Sequence, residues 1–220
     1  DSIRHAITKL SSIHCAATEE SKNRIIQLGE NKKYVFNTGA PGLEYINRVQ
    51  FLNKTELSKI FDFDFSKAYF LVTYHPETLS PLENISSIET LLHSLEYFDK
   101  YNIVITYPNV DDGNFDIIQK INDFKSKHNS SVFLIKSFGN INYLSVLKEA
   151  ELIIGNSSSG IIEAPSMYVP TINIGDRQKG RVAAKSIIHC KPHYENIIQA
   201  IKIGLKESFR NSKNVFNNPY

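Results

Sequence analysis

Cysteine is scarce. Cys15 and Cys190 are the only two in 220 residues. That number excludes a disulfide scaffold, and no C-x-x-C spacing offers a zinc knuckle. Both thiols adjoin apolar segments, so the sequence predicts two core cysteines and a reducing, cytoplasmic setting. No apolar run reaches the ~20 residues needed to cross a bilayer as a helix, and no secretory signal pattern opens the chain. We therefore expect a soluble protein with no membrane partner. Charge of one sign is also lacking, because 25 Lys and Arg against 23 Asp and Glu leave +2 at pH 7. No basic stripe interleaved with aromatics is present, so no nucleic-acid partner is expected. His5, His14, His93, His128, His189 and His193 show no metal-ligand spacing.

What remains is ordinary for a globular protein: 41% apolar and 22% charged residues. A chain of 220 residues holds one large domain, or one domain with part of another. It opens at Asp1 directly on a helical pattern (Ile3, Ala6, Ile7, Leu10) and reads like the middle of a longer protein. A buried strand over 13–18, a helix from an N-cap at Thr18 to Gly29 and a strand over 34–39 follow. Residues 1–44 therefore read as the tail of one α/β domain, and 45–67 as an inter-domain connection. Within that connection, Phe61, Phe63 and Phe65 alternate with acids and suggest a short edge strand.

A second alternation begins at 68. Strands are expected at 68–75, 102–108, 131–136, 151–156, 170–175 and 186–190. Helices are expected at 81–100, 114–128, 142–150 and 194–209. Strands that alternate with helices imply a parallel sheet with helices on both faces. The expected domain is 68–205, with a polar tail at 206–220. Such sheets bind ligands outside the carboxyl ends of their strands. His75, Asn109, Phe138 with Gly139, the loop 156–160, and Arg177 with Arg181 all fall just past a strand end.

The loop "GNSSSG" (155–160) has the spacing of a phosphate-binding loop but lacks the lysine that should follow. It is also not G-x-S-x-G, so a hydrolase nucleophile elbow fails by spacing. A loop of small residues opening a helix still offers backbone N–H groups and hydroxyls to an anion. A plain N-cap with extra serines is the simpler alternative. Glu163, one turn on, suits a ribose diol better than a phosphate, although a first-turn acid also stabilises a helix. Arg177 and Arg181 in "GDRQKGR" (175–181) can grip a diphosphate through planar, bidentate bonds, or be solvated charge. His75 precedes Pro76, which holds it in an extended turn where it can donate to a phosphate or exchange a proton.

These segments, "HPETL", "YPNVDDGN" and "GNSSSGIIEAPSMYVPTINIGDRQKGR", together with the opening "DSIRHAITKL", resemble the hydrolysing UDP-N-acetylglucosamine 2-epimerases of sialic-acid pathways along nearly the whole chain. The resemblance includes the epimerase half of the animal bifunctional enzyme. It implies the second Rossmann-like domain of a GT-B-type two-domain enzyme, plus a remnant of the first. It implies release of UDP and free N-acetylmannosamine, by elimination to a 2-acetamidoglucal and then hydration on the opposite face. No cofactor or metal is implied. The hydrolysing branch is favoured because His75 is followed by Pro76-Glu77-Thr78 rather than Arg-Arg-Glu-Asn.

Carried over by position, the resemblance places His75 at the phosphates or the departing nucleotide. Asn109 lines the nucleotide pocket and Phe138 lies against the uracil. Ser157 and Ser158, with Ser159 and Gly160 of the same loop, hold the diphosphate. Glu163 holds the ribose, while Arg177 and Arg181 complete the site. Asp1 joins the acid–base set, with Arg4 close behind it. The family's other acids precede Asp1, so these 220 residues alone are expected to be inactive. Family members form dimers or tetramers, which implies a homo-oligomer. Three other readings stay open: an epimerase for UDP- or GDP-linked diacetamido sugars of legionaminic-acid synthesis, a GT-B glycosyltransferase, and a nucleotide-sugar sensor, for which Lys136 and Ser137 fall near the regulatory region of the animal relatives.

Overall fold

The computed structural model describes residues 2–76, 81–108 and 114–220. Two compact units emerge, residues 1–49 with 218–220, and residues 50–217. Among the described residues no helix is long and apolar enough to cross a membrane.

The smaller unit holds helix α1 (Ser2–Leu10), strand β1 (His14–Ala16), helix α2 (Glu19–Gln27), strand β2 (Val35–Asn37) and helix α3 (Pro41–Ile46). The two strands pair in parallel, His14 opposite Val35, with α2 as the crossover. Thr18 caps α2 by accepting from the Ser21 N–H at 3.1 Å. Strand alternation turns His14 and Ala16 inward and Cys15 outward. Cys15 is thus exposed, and the expectation of two core thiols fails for it. Cys190 is half-buried and packs against the core of the larger unit. The apolar stripe expected on α1 exists, but none of it is buried.

The larger unit begins with helix α4 (Lys54–Phe61), started by an Asn53–Glu56 capping box. Asp62 ends it at φ 49° in the left-handed region, so Phe61, Phe63 and Phe65 do not form the expected edge strand. Their rings instead pack edge-on: Phe61 against Phe138 at 4.8 Å between centroids, Phe63 against Phe65 at 5.2 Å.

Six strands follow: β3 (Tyr69–Thr73), β4 (Asn102–Thr106), β5 (Val132–Ile135), β6 (Leu152–Gly155), β7 (Thr171–Ile174) and β8 (Ile187–Cys190). All pair in parallel, in the order β5-β4-β3-β6-β7-β8. The central strands are buried at every position, whereas edge strands β5 and β8 are not. That difference explains why the central strands read as unbroken apolar runs rather than alternating ones.

The side-chain period of two sorts the faces. Phe70, Val72, Ile103, Ile105, Ile154 and Ile172 enter a core with helices α5 (Pro81–Leu95), α6 (Asn114–Lys127) and, in chain order after two others, α9 (Tyr194–Gly204). Residues of opposite parity meet helices α7 (Asn140–Glu149) and α8 (Ser158–Ile162). Tyr69 Oη donates to Val146 O at 2.6 Å, and Thr171 Oγ1 to Gly160 O at 2.7 Å. The closing helix stops at Gly204 because Lys206 turns extended before the short helix α10 (Glu207–Arg210).

Candidate nucleotide site

The sheet order reverses between β3 and β6. β3 leads outward to β4 and β5, and the chain then crosses back to β6. Open α/β sheets place ligands in the crevice beyond such a reversal. Two residues tie the crevice together. The His75 N–H donates to Asn156 Oδ1 at 2.7 Å, and Asn156 Nδ2 donates to His75 O at 2.8 Å. Both residues are buried, so these bonds fix the chain leaving β3 against the chain leaving β6. Asn156 also receives Arg177 Nη1 at 3.0 Å and Gln178 Nε2 at 2.7 Å on its main-chain oxygen. Neither Asn156, expected at the end of the strand 151–156 and the start of the serine loop, nor Gln178 stands out in the sequence as a site residue; an asparagine directly after a buried strand is the available signal.

The serine loop starts one residue later. Ser157 caps α8, its Oγ accepting from the Ser159 N–H at 3.3 Å. Ser158 stays half-buried, while Ser159 is buried. Gly160 has a packing role: a Cβ there would lie 2.6 Å from Thr171 Cγ2. Its small size lets α8 approach β7. Helix α8 has five residues, too short for a substantial macrodipole, and the loop's donors carry the anion argument instead.

Glu163 follows α8, half-buried, with Oε2 lacking any hydrogen-bond partner among the described residues. Burial pushes its carboxyl above the usual range; nearby Ser159 and the Arg181 charge offset part of that rise. Ser159 Oγ lies near the Glu163 carboxyl and the Tyr143 hydroxyl, yet meets hydrogen-bond geometry with neither. Burial likewise pushes the Tyr143 phenol up to about 12. Glu163 and Ser159 thus leave two acceptor-capable oxygens uncommitted beside the serine loop, an arrangement a vicinal diol satisfies by donating two hydroxyl protons.

The other expected residues are placed as follows. Phe138 is 5% exposed, its ring held by Phe61 and Phe133. Its ring therefore serves the aromatic cluster first, with little surface left for a base. Arg177 and Arg181 lie in the loop after β7, both exposed as residues. Arg4 lies on α1 in the smaller unit, exposed. Asp1 and Asn109 lie outside the described residues. Lys136 and Ser137 are exposed after β5. A cleft of about 1080 Å³ opens at the carboxyl ends of β3, β7 and β8, beside the serine loop rather than on it. No His, Cys, Asp and Glu grouping among the described residues could hold a metal ion.

Comparison with known proteins agrees with this architecture. The profile of the family described as UDP-N-acetylglucosamine 2-epimerase matches residues 1–220. Polysialic acid biosynthesis protein P7 of Escherichia coli is 41% identical over 219 residues, covering 99% of this chain and 55% of that protein. The GDP/UDP-N,N'-diacetylbacillosamine 2-epimerase (hydrolyzing) of Campylobacter jejuni is 40% identical over 188 residues, covering 86% and 49%. The crystal structure of the Methanocaldococcus jannaschii UDP-GlcNAc 2-epimerase, in complex with UDP-GlcNAc and UDP, superposes with a TM-score of 0.68 at 25% identity, covering 96% of this chain and 59% of that one. The chain thus spans about half the length of the relatives it matches. A parallel sheet reversing at β3 and β6, the serine loop that follows and a family match along all 220 residues converge: the chain belongs to the UDP-N-acetylglucosamine 2-epimerase family.

Proposed function

We propose that the full protein releases UDP from UDP-N-acetylglucosamine and yields free N-acetylmannosamine for sialic-acid-type sugars. The reaction loses the C2 proton and UDP to form a 2-acetamidoglucal, and water then adds across the double bond on the opposite face. The observation that carries the reading is the uncommitted Glu163 carboxyl beside the serine loop at the sheet reversal. Ser157 and Ser158 hold the diphosphate, Glu163 the ribose hydroxyls, and Arg177 a phosphate oxygen. His75 assists departure of the nucleotide, Asn109 and the chain around Phe138 border the base, and Asp1 with Arg4 serves proton transfer from the first domain. Residues 1–44 are the end of that domain and 68–205 the nucleotide-binding one. The family also supports a cytoplasmic homodimer or homotetramer, which sedimentation would test.

A second reading is favoured by the 40% identity to the Campylobacter jejuni enzyme. In it the sugar is a diacetamido-trideoxyhexose carried on UDP or GDP. Incubating the full-length protein with each nucleotide sugar and following products by NMR separates the two. Free N-acetylmannosamine and UDP support the first reading. Release from the diacetamido substrate alone moves the assignment to the second. Turnover that requires an added sugar acceptor overturns both in favour of a glycosyltransferase. The 220 residues alone should release nothing, and measurable activity in them would refute that expectation.

A further inference from the structure

The cleft beside the serine loop has a wall that the reading above leaves unused. Gln178 lines it and is only 3% exposed. Its Nε2 donates to Asn156 O at 2.7 Å, which settles the orientation of the amide, since a carbonyl only accepts. Gln178 Oε1 is thereby turned away from Asn156, buried, and reached by no donor among the described residues. A buried amide oxygen in this state is unusual and calls for a donor from outside the protein.

The neighbouring groups have the opposite character. Asn173 Nδ2 lies 3.4 Å from Gly175 O and 3.1 Å from His189 Nδ1. The carbonyl identifies that end of the amide as NH2, so it donates to His189 Nδ1. The ring proton of neutral His189 is then on Nε2. His189 lines the cleft together with Lys179, Arg181 and Lys191. His193, the N-cap of the eleven-residue α9, also lines it and makes no side-chain capping bond. One buried acceptor therefore sits among several donors and cations, with the exposed Asp176 carboxylate of the same lining paired to Lys179 at 3.4 Å.

We propose that this cleft receives the sugar and adjoining phosphate of the nucleotide sugar, and that Gln178 Oε1 is the specificity-determining acceptor for an amide N–H or hydroxyl of that sugar. The inference rests on the nucleotide-sugar reading given above. Cations and His189 match the phosphate, and a sugar bearing N–H and O–H groups supplies the donor that Oε1 lacks. UDP alone offers the phosphates but no hexose. Gln178 therefore separates UDP-sugar from UDP, where Glu163 and the serines do not.

The test is calorimetric titration of the full-length protein with UDP and with UDP-N-acetylglucosamine. The variants are Gln178→Lys, which keeps a donor for Asn156 O and removes the acceptor, and Lys191→Ala, an exposed position in the lining of the same cleft. Thermal melts establish that both are folded. Gln178→Lys should keep UDP affinity within about threefold and lose about tenfold or more for UDP-N-acetylglucosamine, the size of one lost hydrogen bond or more. Lys191→Ala should weaken UDP and the UDP-sugar by similar factors, because both carry the phosphates. In Gln178→Lys, equal loss for both ligands, or no loss for either, overturns the role of Gln178 while leaving the nucleotide reading intact. Failure of the wild type to bind either ligand overturns that reading and this inference together.

Discussion

Gly155→Ala tests the joint between β3 and β6 on which the site depends. Gly155 ends β6 at φ 134°, a backbone conformation that L side chains rarely adopt. A Cβ there would lie 2.1 Å from Thr73 O and 2.8 Å from Thr73 C. Both are main-chain atoms of the paired strand, so no rotamer change relieves the clash. Holding a non-glycine residue in such a conformation costs about 1–3 kcal/mol. Forcing packed elements apart costs roughly another 1–3 kcal/mol. The total is a large share of the ~5–15 kcal/mol that stabilises a typical domain. The effect also reaches the site, because the Asn156 N–H donates to that same Thr73 O at 3.2 Å and begins the serine loop. Urea denaturation followed by circular dichroism should show a lower midpoint, a stability loss of at least about 2 kcal/mol and an unchanged slope. UDP affinity should fall in parallel. A loss below about 0.5 kcal/mol, within the range of ordinary surface substitutions, with nucleotide binding intact would refute the reasoning.

Glu163→Gln should raise stability near neutral pH. A carboxyl whose pKa is raised by folding contributes fully below the unfolded carboxyl range and loses its contribution as pH rises through the raised value. The variant should therefore melt above wild type near pH 8, the gap should close toward pH 4, and UDP affinity should fall; a lower melting temperature at pH 8 counts against the assignment. Asn156→Ala strands two buried main-chain groups of His75 and should cost about 2–5 kcal/mol, so a denaturation midpoint matching wild type would contradict the role given to that pair. Burial pushes the Cys190 thiol up to about 12, whereas Cys15 is exposed. Iodoacetamide near pH 8 should label Cys15 and spare Cys190 in the folded protein, and mass spectrometry showing equal labelling would contradict that burial.

Much of this was legible from residue order. Periodicity and capping residues found all the strands and the long helices, because a strand buried on both faces must be apolar throughout and a helix end needs a donor or acceptor at a known offset. The serine loop and Glu163 stood out because polar residues after an apolar strand mark its carboxyl end. The packing role of Gly160 was not legible, because its neighbour Thr171 comes from the next strand, eleven residues away. Phe61, Phe63 and Phe65 alternated like a strand, yet their cluster with Phe133 and Phe138 joins segments about seventy residues apart.

Sequence alone determined the parallel α/β class and the family, since these follow from local patterns along the chain. Tertiary structure decided which loops meet. Only the strand order brings His75 against Asn156, 81 residues apart. Only packing leaves Glu163 Oε2 and Gln178 Oε1 buried without partners among the described residues. An unsatisfied polar atom is a property of everything around it, and no window of neighbouring residues contains that information.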